Sequence, residues 1–100
     1  MRFYTRADIV GTGAAAAALN TLFSQTKAKE IIISVVAGST APRFGDSGVG
    51  AAQGVPITTS TTANPTILRT TVADETDFFD LAQCYLFIPN GTTVAVAIGV

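Results

Sequence analysis

The chain has 100 residues, the size of a single domain, and a formal net charge of −1. That charge argues against a nucleic-acid-binding protein, which would present a basic face. Charged residues make up 13% of the chain, well below the usual share of about 25%, so Thr, Ser, Asn and Gln or other protein chains must cover much of the surface.

Two N-terminal segments each allow two structural interpretations. Residues 1–12 alternate loosely and predict either an edge strand or an N-terminal arm that pairs with a neighbouring subunit. Residues 14–23 begin with five alanines, which favour a helix. The run has no charged residue for a solvated helix face, so a short helix and a small-residue strand both stay open there.

Residues 30–37 are the clearest strand of the first half. They are β-branched almost throughout, which is typical of a buried strand. The Gly-Ser-Thr-Ala-Pro run at residues 38–42 then predicts a turn. We expect this strand to be the core strand of the first half.

Residues 43–57 form a glycine-rich connection between the two halves. Glycines at four positions allow backbone conformations that other residues avoid, and Val49, Val55 and Ile57 are apolar residues able to anchor the loop to a core. Arg43 and Asp46 are its only charged residues. We predict that they fix the loop shape, with Arg43 bonding either to Asp46 or to backbone carbonyls.

The second half begins with a Thr-rich tract at residues 58–65, which predicts a surface loop or a β-ribbon. Residues 66–72 predict a strand. An acidic segment at residues 73–80 follows, and three interpretations stay open: a solvated loop, a calcium site whose spacing matches no EF-hand, and a docking patch for a basic partner.

The C-terminal residues predict a turn and two strands. Residues 80–83 are typical of a turn or a single helical turn. Residues 84–88 and 92–98 are predicted to pair as a hairpin across residues 89–91, with positive φ at Gly91. The same turn argues against a membrane span in residues 81–100. Cys84 lies in an apolar run and is expected to be a buried structural thiol.

Short β-rich segments separated by turn signals define the expected fold class. We predict one mainly β domain over residues 1–100, either an antiparallel β-sandwich of jelly-roll-like type or a small barrel. A short helix near residues 14–23 is the one helical element that this prediction allows.

Two motifs resemble enzyme signatures, but neither has its required context. The Gly-Asp-Ser-Gly run at residues 45–48 resembles the surroundings of a protease serine, yet the chain has no histidine to act as its base. The Gly-rich run at residues 11–16 resembles a dinucleotide-binding fingerprint, but 100 residues cannot supply repeated βαβ units. We therefore expect no enzyme activity and no cofactor; an acid/base hydrolase using the acidic segment is the weaker alternative.

The segments at residues 43–49 and 53–57 together resemble a recurrent signature of small structural proteins of tailed bacteriophages. In those proteins an Ile/Val-rich strand precedes an arginine-containing Gly-Asp-Ser turn and a Gly-x-Pro-x step. An Asp-Leu turn, a Tyr-containing strand and an alternating Val strand come later. Residues 30–36, 80–81, 85–88 and 93–98 follow that order.

The resemblance implies a capsid decoration (cement) protein on the outer capsid surface of a virion, made in the host cytoplasm. It implies a homo-oligomer, most simply a trimer, that contacts itself and the major capsid protein, without nucleic-acid or membrane partners. The alternative is a receptor- or glycan-binding accessory domain of a head fibre or tail. The candidate partner-interface or loop-shaping residues are Arg43, Phe44, Asp46, Asp74, Glu75, Asp77, Phe78 and Phe79.

Overall fold

The structure, a computed structural model, describes residues 2–57, 66–69 and 78–100. Within these residues the chain forms ten β-strands and one 3-10 turn, Leu19–Thr21. The strands, in chain order, are β1 Phe3–Val10, β2 Ala17–Ala18, β3 Lys27–Ala28, β4 Glu30–Ala37, β5 Arg43–Gly45, β6 Val55–Pro56, β7 Thr66–Arg69, β8 Phe79–Asp80, β9 Tyr85–Phe87 and β10 Thr93–Gly99.

These strands form two four-stranded sheets and a small ribbon. Sheet A has the order β1-β10-β4-β7, sheet B has the order β2-β9-β5-β6, and β3 pairs with β8. The paired strands are antiparallel throughout. The predicted mainly β fold of antiparallel sandwich type is confirmed, and the finer jelly-roll description stays a prediction.

The core lies against one face of sheet A. Strand β4 alternates between buried and half-exposed residues from Glu30 to Val35, and β10 does the same from Thr93 to Ile98, because successive side chains of a strand point to opposite faces. A fully buried Val, Leu or Ile side chain stabilises a fold by about 1.5–3 kcal/mol. The buried cluster is Leu19, Phe23, Ala28, Ile31, Ile33, Val35, Ile57, Leu81, Leu86, Val94, Val96 and Ile98.

The predicted hairpin between residues 84–88 and 92–98 is wrong. Strand β9 belongs to sheet B and β10 to sheet A, so the turn between them is a corner that carries the chain from one sheet to the other. The turn itself is present, because the Thr92 amide donates to the Pro89 carbonyl at 3.1 Å and Gly91 has φ +86°. Strand β10 instead pairs with β1 and β4.

The helix considered for residues 14–23 does not form. The segment holds the two-residue strand β2 and then the single 3-10 turn. The amide of Leu19 donates to the carbonyl of Cys84 at 2.8 Å, and the amide of Asn20 to that of Leu81 at 3.2 Å. In an α-helix over this segment, these two amides would instead donate to carbonyls of the preceding helical turn.

Strand β1 lies at an edge of sheet A and contains a β-bulge. Arg6 pairs with Val96 and Ile9 with Val94, so Ala7 and Asp8 together lie opposite one residue of β10. Asp8 has φ +55°, in the left-handed region that aspartate tolerates better than most residues. The bulge interrupts the ladder in the middle of this edge.

Several predicted segments lie partly or wholly outside the described residues. Of the strand predicted at residues 66–72, the part described is β7. The Thr-rich tract and the candidates Asp74, Glu75 and Asp77 lie outside. In the ranges that the structure does describe, no helix has the length and apolar character to cross a membrane.

Candidate functional site

The glycine-rich connection forms a hairpin on sheet B. In it, Arg43 of β5 pairs with Pro56 of β6, and the chain between the two strands turns back. Val49 in this loop is buried, as is Ile57 just after β6, so both predicted anchors pack inward. The third, Val55, was predicted wrongly: it is 66% exposed because it lies on the edge strand β6.

Gly54 fixes the return of the hairpin. Its φ is +108°, a conformation that L side chains rarely adopt, and a Cβ atom there would lie 2.2 Å from Cγ2 of Val49. Glycine therefore lets Val49 pack directly against the backbone. The Gly54 carbonyl oxygen accepts a hydrogen bond of 2.9 Å from Nη1 of Arg43.

The two charged residues of the hairpin hold separate parts of its backbone. Arg43 bonds to the Gly54 carbonyl, which is one of the two predicted arrangements. The carboxylate of Asp46 accepts from the Gly48 amide at 2.9 Å, and the Asp46 carbonyl accepts from the Val49 amide at 3.1 Å. This is the side-chain-to-backbone bonding that makes aspartate favourable in turns.

Arg43 also lines a groove of about 370 Å³ on the outer side of sheet B. We call this the Arg43 groove. Arg43 pairs with Phe87 of β9, so both side chains lie on the same face of the sheet. Phe87 is only 7% exposed although it lies outside the main buried cluster. The lining residues are Gly13, Thr40, Ala41, Arg43, Ala51, Phe87, Pro89 and Asn90.

Phe44 supports this groove from the opposite face. It pairs with Leu86 of β9 and packs against the main core, because neighbouring residues of a strand point to opposite faces. Of the hairpin candidates, Arg43 therefore contacts the groove, Phe44 fixes β5 to the core, and Asp46 shapes the loop.

Phe78 and Phe79 take different environments. The Phe79 ring is half-buried and packs against the core, whereas Phe78 is 38% exposed. The Nζ atoms of Lys27 and Lys29 lie 5.7 and 5.1 Å from the centre of the Phe78 ring, within the range of cation–π attraction. Asp80 is the next residue in the sequence after Phe79. Its carboxylate accepts a hydrogen bond of 3.1 Å from the Ala82 amide.

Cys84 was expected to be buried and is half-buried instead. Burial raises the pKa of its thiol, and the negative charge of Asp80 raises that pKa further. Both effects disfavour the thiolate, which is the reactive form of cysteine. The environment is that of a structural thiol.

A second surface is the outer face of sheet A, on the side opposite the core. Ala97 pairs with Thr5 on one side and with Ile32 on the other, and Ile32 pairs with Ile67. These four residues form an uncharged row across all four strands. Phe3 and Ile67, at the two edges of the sheet, are 51% and 44% exposed. We define the outer face as Phe3, Thr5, Glu30, Ile32, Ser34, Ile67, Ala95, Ala97 and Gly99. Glu30 lies in the same row as Phe3 and Gly99, so it places a charged residue at one end of this face.

The sequence contained a signal for the outer face but not for the groove. Alternation along residues 93–98 already separates small from large side chains. The groove instead combines segments near residues 13, 40–43, 51 and 87–90, which only the fold brings together.

Within residues 2–57, 66–69 and 78–100, no group of three or more His, Cys, Asp or Glu side chains is placed to hold a metal ion. Comparison of the chain with protein-family models, with curated proteins and with solved structures finds no match.

Proposed function

We propose that this protein is a non-enzymatic structural component of a bacteriophage virion that decorates the capsid. In this proposal it self-associates, most simply as a trimer, and binds the major capsid protein through the outer face of sheet A. The resemblance described above supplies the virion context. The chemistry of the outer face of sheet A is the observation that supports binding to the capsid.

The outer face has the chemistry of a permanent contact surface. Ile32, Ile67 and Phe3 expose apolar area between small residues of β10, and Thr5, Ser34, Ala95 and Ala97 add no charge. The charge of Glu30 is confined to the row that contains Phe3, at one end of the face. Soluble monomers rarely leave a continuous apolar surface uncovered. Small side chains on β10 also permit close approach of a partner, because they leave that part of the sheet nearly flat.

The size of this face explains why oligomerisation helps. Four strands about 4.8 Å apart, taken over the seven residues of β10 at about 3.4 Å per residue, give a footprint of at most roughly 450 Å². Such a contact buries about 900 Å² in total, below the ~1,200–2,000 Å² of stable interfaces. One copy would bind weakly, and linking several copies would raise the avidity without any new contact.

The test uses capsids that lack the protein and the purified chain in three forms. The wild-type chain should bind these particles and raise the temperature at which they release their DNA. Ile67→Asp places a charge on the outer face and should bind at least tenfold more weakly. Ser24→Asp adds the same charge at an exposed position elsewhere and should behave like the wild type.

Cryo-electron microscopy of the same particles identifies the location. Density distributed over the shell supports decoration, whereas density confined to vertices or tail supports the receptor-binding alternative. Equal binding by Ile67→Asp and the wild type would contradict the role of the outer face. Absence of wild-type binding would contradict the proposed function.

A further inference from the structure

We propose that the Arg43 groove binds an extended acidic segment of a partner protein, placing one carboxylate on the guanidinium of Arg43. The groove lies on sheet B and shares no residue with the outer face of sheet A. The proposal therefore does not depend on capsid decoration.

Arg43 supplies the positive charge of the groove. The Arg43 side chain is half-buried, and its hydrogen-bond partner among the described residues is the Gly54 carbonyl. That bond uses Nη1 and leaves other N–H groups of a guanidinium that can donate several hydrogen bonds. It also holds the side chain in place, so less conformational entropy is lost when a ligand binds.

The walls of the groove define the rest of the ligand. Ala41, Ala51 and Pro89 provide apolar surface, and Phe87 adds only the 7% of its surface that is exposed. The exposed Asn90 adds an amide at the rim. A concave, largely apolar site with a few polar groups is the usual form of a binding pocket, and about 370 Å³ is near the lower end of the usual range. It fits a short segment with a carboxylate between apolar side chains.

Other ligand classes fit less well. Phe87 is buried to 93%, since 7% is exposed, so its ring offers no stacking platform for a sugar or a nucleobase. A phosphate group usually requires several cations or a set of converging amides. Arg43 is the one cation among the lining residues, and a single guanidinium matches a single carboxylate.

The test is an NMR titration with two capped hexapeptides of valine and threonine, one with a central aspartate and one with asparagine. The aspartate peptide should shift the amide signals of Ala41, Ala51 and Asn90, and the asparagine peptide should bind about tenfold more weakly. Equal binding of the two peptides, or shifts confined to other residues, would overturn the proposal. Acetate binding as tightly as the aspartate peptide would show a site for small carboxylates instead.

Two sets of variants test whether the aspartate peptide binds in the Arg43 groove. Arg43→Gln should lose about tenfold in affinity for the aspartate peptide, whereas Arg6→Gln, which changes an exposed arginine of β1, should not. Since Arg43 also supports the hairpin, Ala51→Glu gives an independent result. It places a carboxylate beside Arg43 and should weaken binding relative to Ala51→Gln; equal affinities for these two variants would contradict the proposal.

Discussion

The hydroxyl of Thr92 donates a hydrogen bond of 2.8 Å to the carbonyl oxygen of Thr40. Thr92 is 1% exposed and directly precedes β10, while Thr40 lies in the turn between β4 and β5. The bond therefore connects the corner at residues 89–92 to the turn at residues 38–42. Both segments contribute walls to the Arg43 groove, so this hydroxyl links one wall to the other.

Thr92→Val should destabilise the protein by about 1–3 kcal/mol. The change removes the hydroxyl donor and leaves the Thr40 carbonyl without this hydrogen bond in a part-buried site. The neighbouring change Thr93→Val is the control, since valine suits a half-exposed strand position. Urea unfolding measures both. If Thr92→Val unfolds at the same urea concentration as Thr93→Val, the bond contributes nothing to the joining of the two turns.

Gly54→Ala should destabilise the hairpin by about 1–3 kcal/mol, because alanine resists a φ of +108° and its Cβ would overlap Cγ2 of Val49. Val49→Ala removes that overlap but not the backbone strain. A double-mutant cycle should therefore show a smaller cost of Gly54→Ala in the Val49→Ala background. Additive costs would mean that the loop moves away and that the packing of Val49 does not constrain it.

Gly91→Val should destabilise the fold by about 1 kcal/mol or more. Its φ is +86°, and because no atom lies within 4 Å of the added Cβ, the cost comes from the backbone and not from a clash. Gly50→Val is the matched control, since its Cβ also meets no neighbour and its φ is outside the left-handed region. Equal melting temperatures for the two variants would disprove the backbone explanation.

Cys84 should be alkylated more slowly by iodoacetamide than free cysteine at the same pH. Burial and the negative charge of Asp80 raise its pKa, so less thiolate is present. Asp80→Asn removes the charge and should lower the pKa, shifting the pH–rate profile towards lower pH. Asp8→Asn, on strand β1 of sheet A, should leave the profile unchanged; a profile unaltered by Asp80→Asn would show that the Asp80 charge does not act on the thiol.

The isolated protein should have the mass of a trimer by light scattering at micromolar concentration. The low share of charged residues motivates an oligomer, since closed symmetry covers such a surface, and the resemblance to decoration proteins motivates three copies. If the outer face binds the shell and not a neighbouring copy, Ile67→Asp should keep this mass while losing particle binding. A monomeric mass for the wild type would contradict a stable free oligomer.

The sequence predicted the strands but not their partners. Residues 30–37 are β-branched and residues 93–98 alternate, and both local patterns identify strands correctly. The turn at residues 89–91 was also recognised. However, the same turn chemistry serves a hairpin or a corner, and the pairing of β10 with β1 and β4 decides between them through contacts distant in sequence.

The candidate site was predictable only in part, for the same reason. The sequence points to Arg43 because it is one of two charges in a long uncharged region, but nothing in the sequence distinguishes Gly54 from the three other glycines there. Their hydrogen bond follows from the hairpin geometry. The contribution of Pro89 and Asn90 to the groove depends on the corner between the sheets, which no local pattern indicates.

The bulge at Ala7 and Asp8 limits how copies of this protein can associate through the edge strand β1. An uninterrupted edge strand can recruit the edge of another copy, and repetition of that contact produces a fibril of unlimited length. Here the ladder is broken in mid-strand and a carboxylate stands at the break. The consequence is that this edge is a poor template for further copies, so self-association of the protein has to use other surfaces.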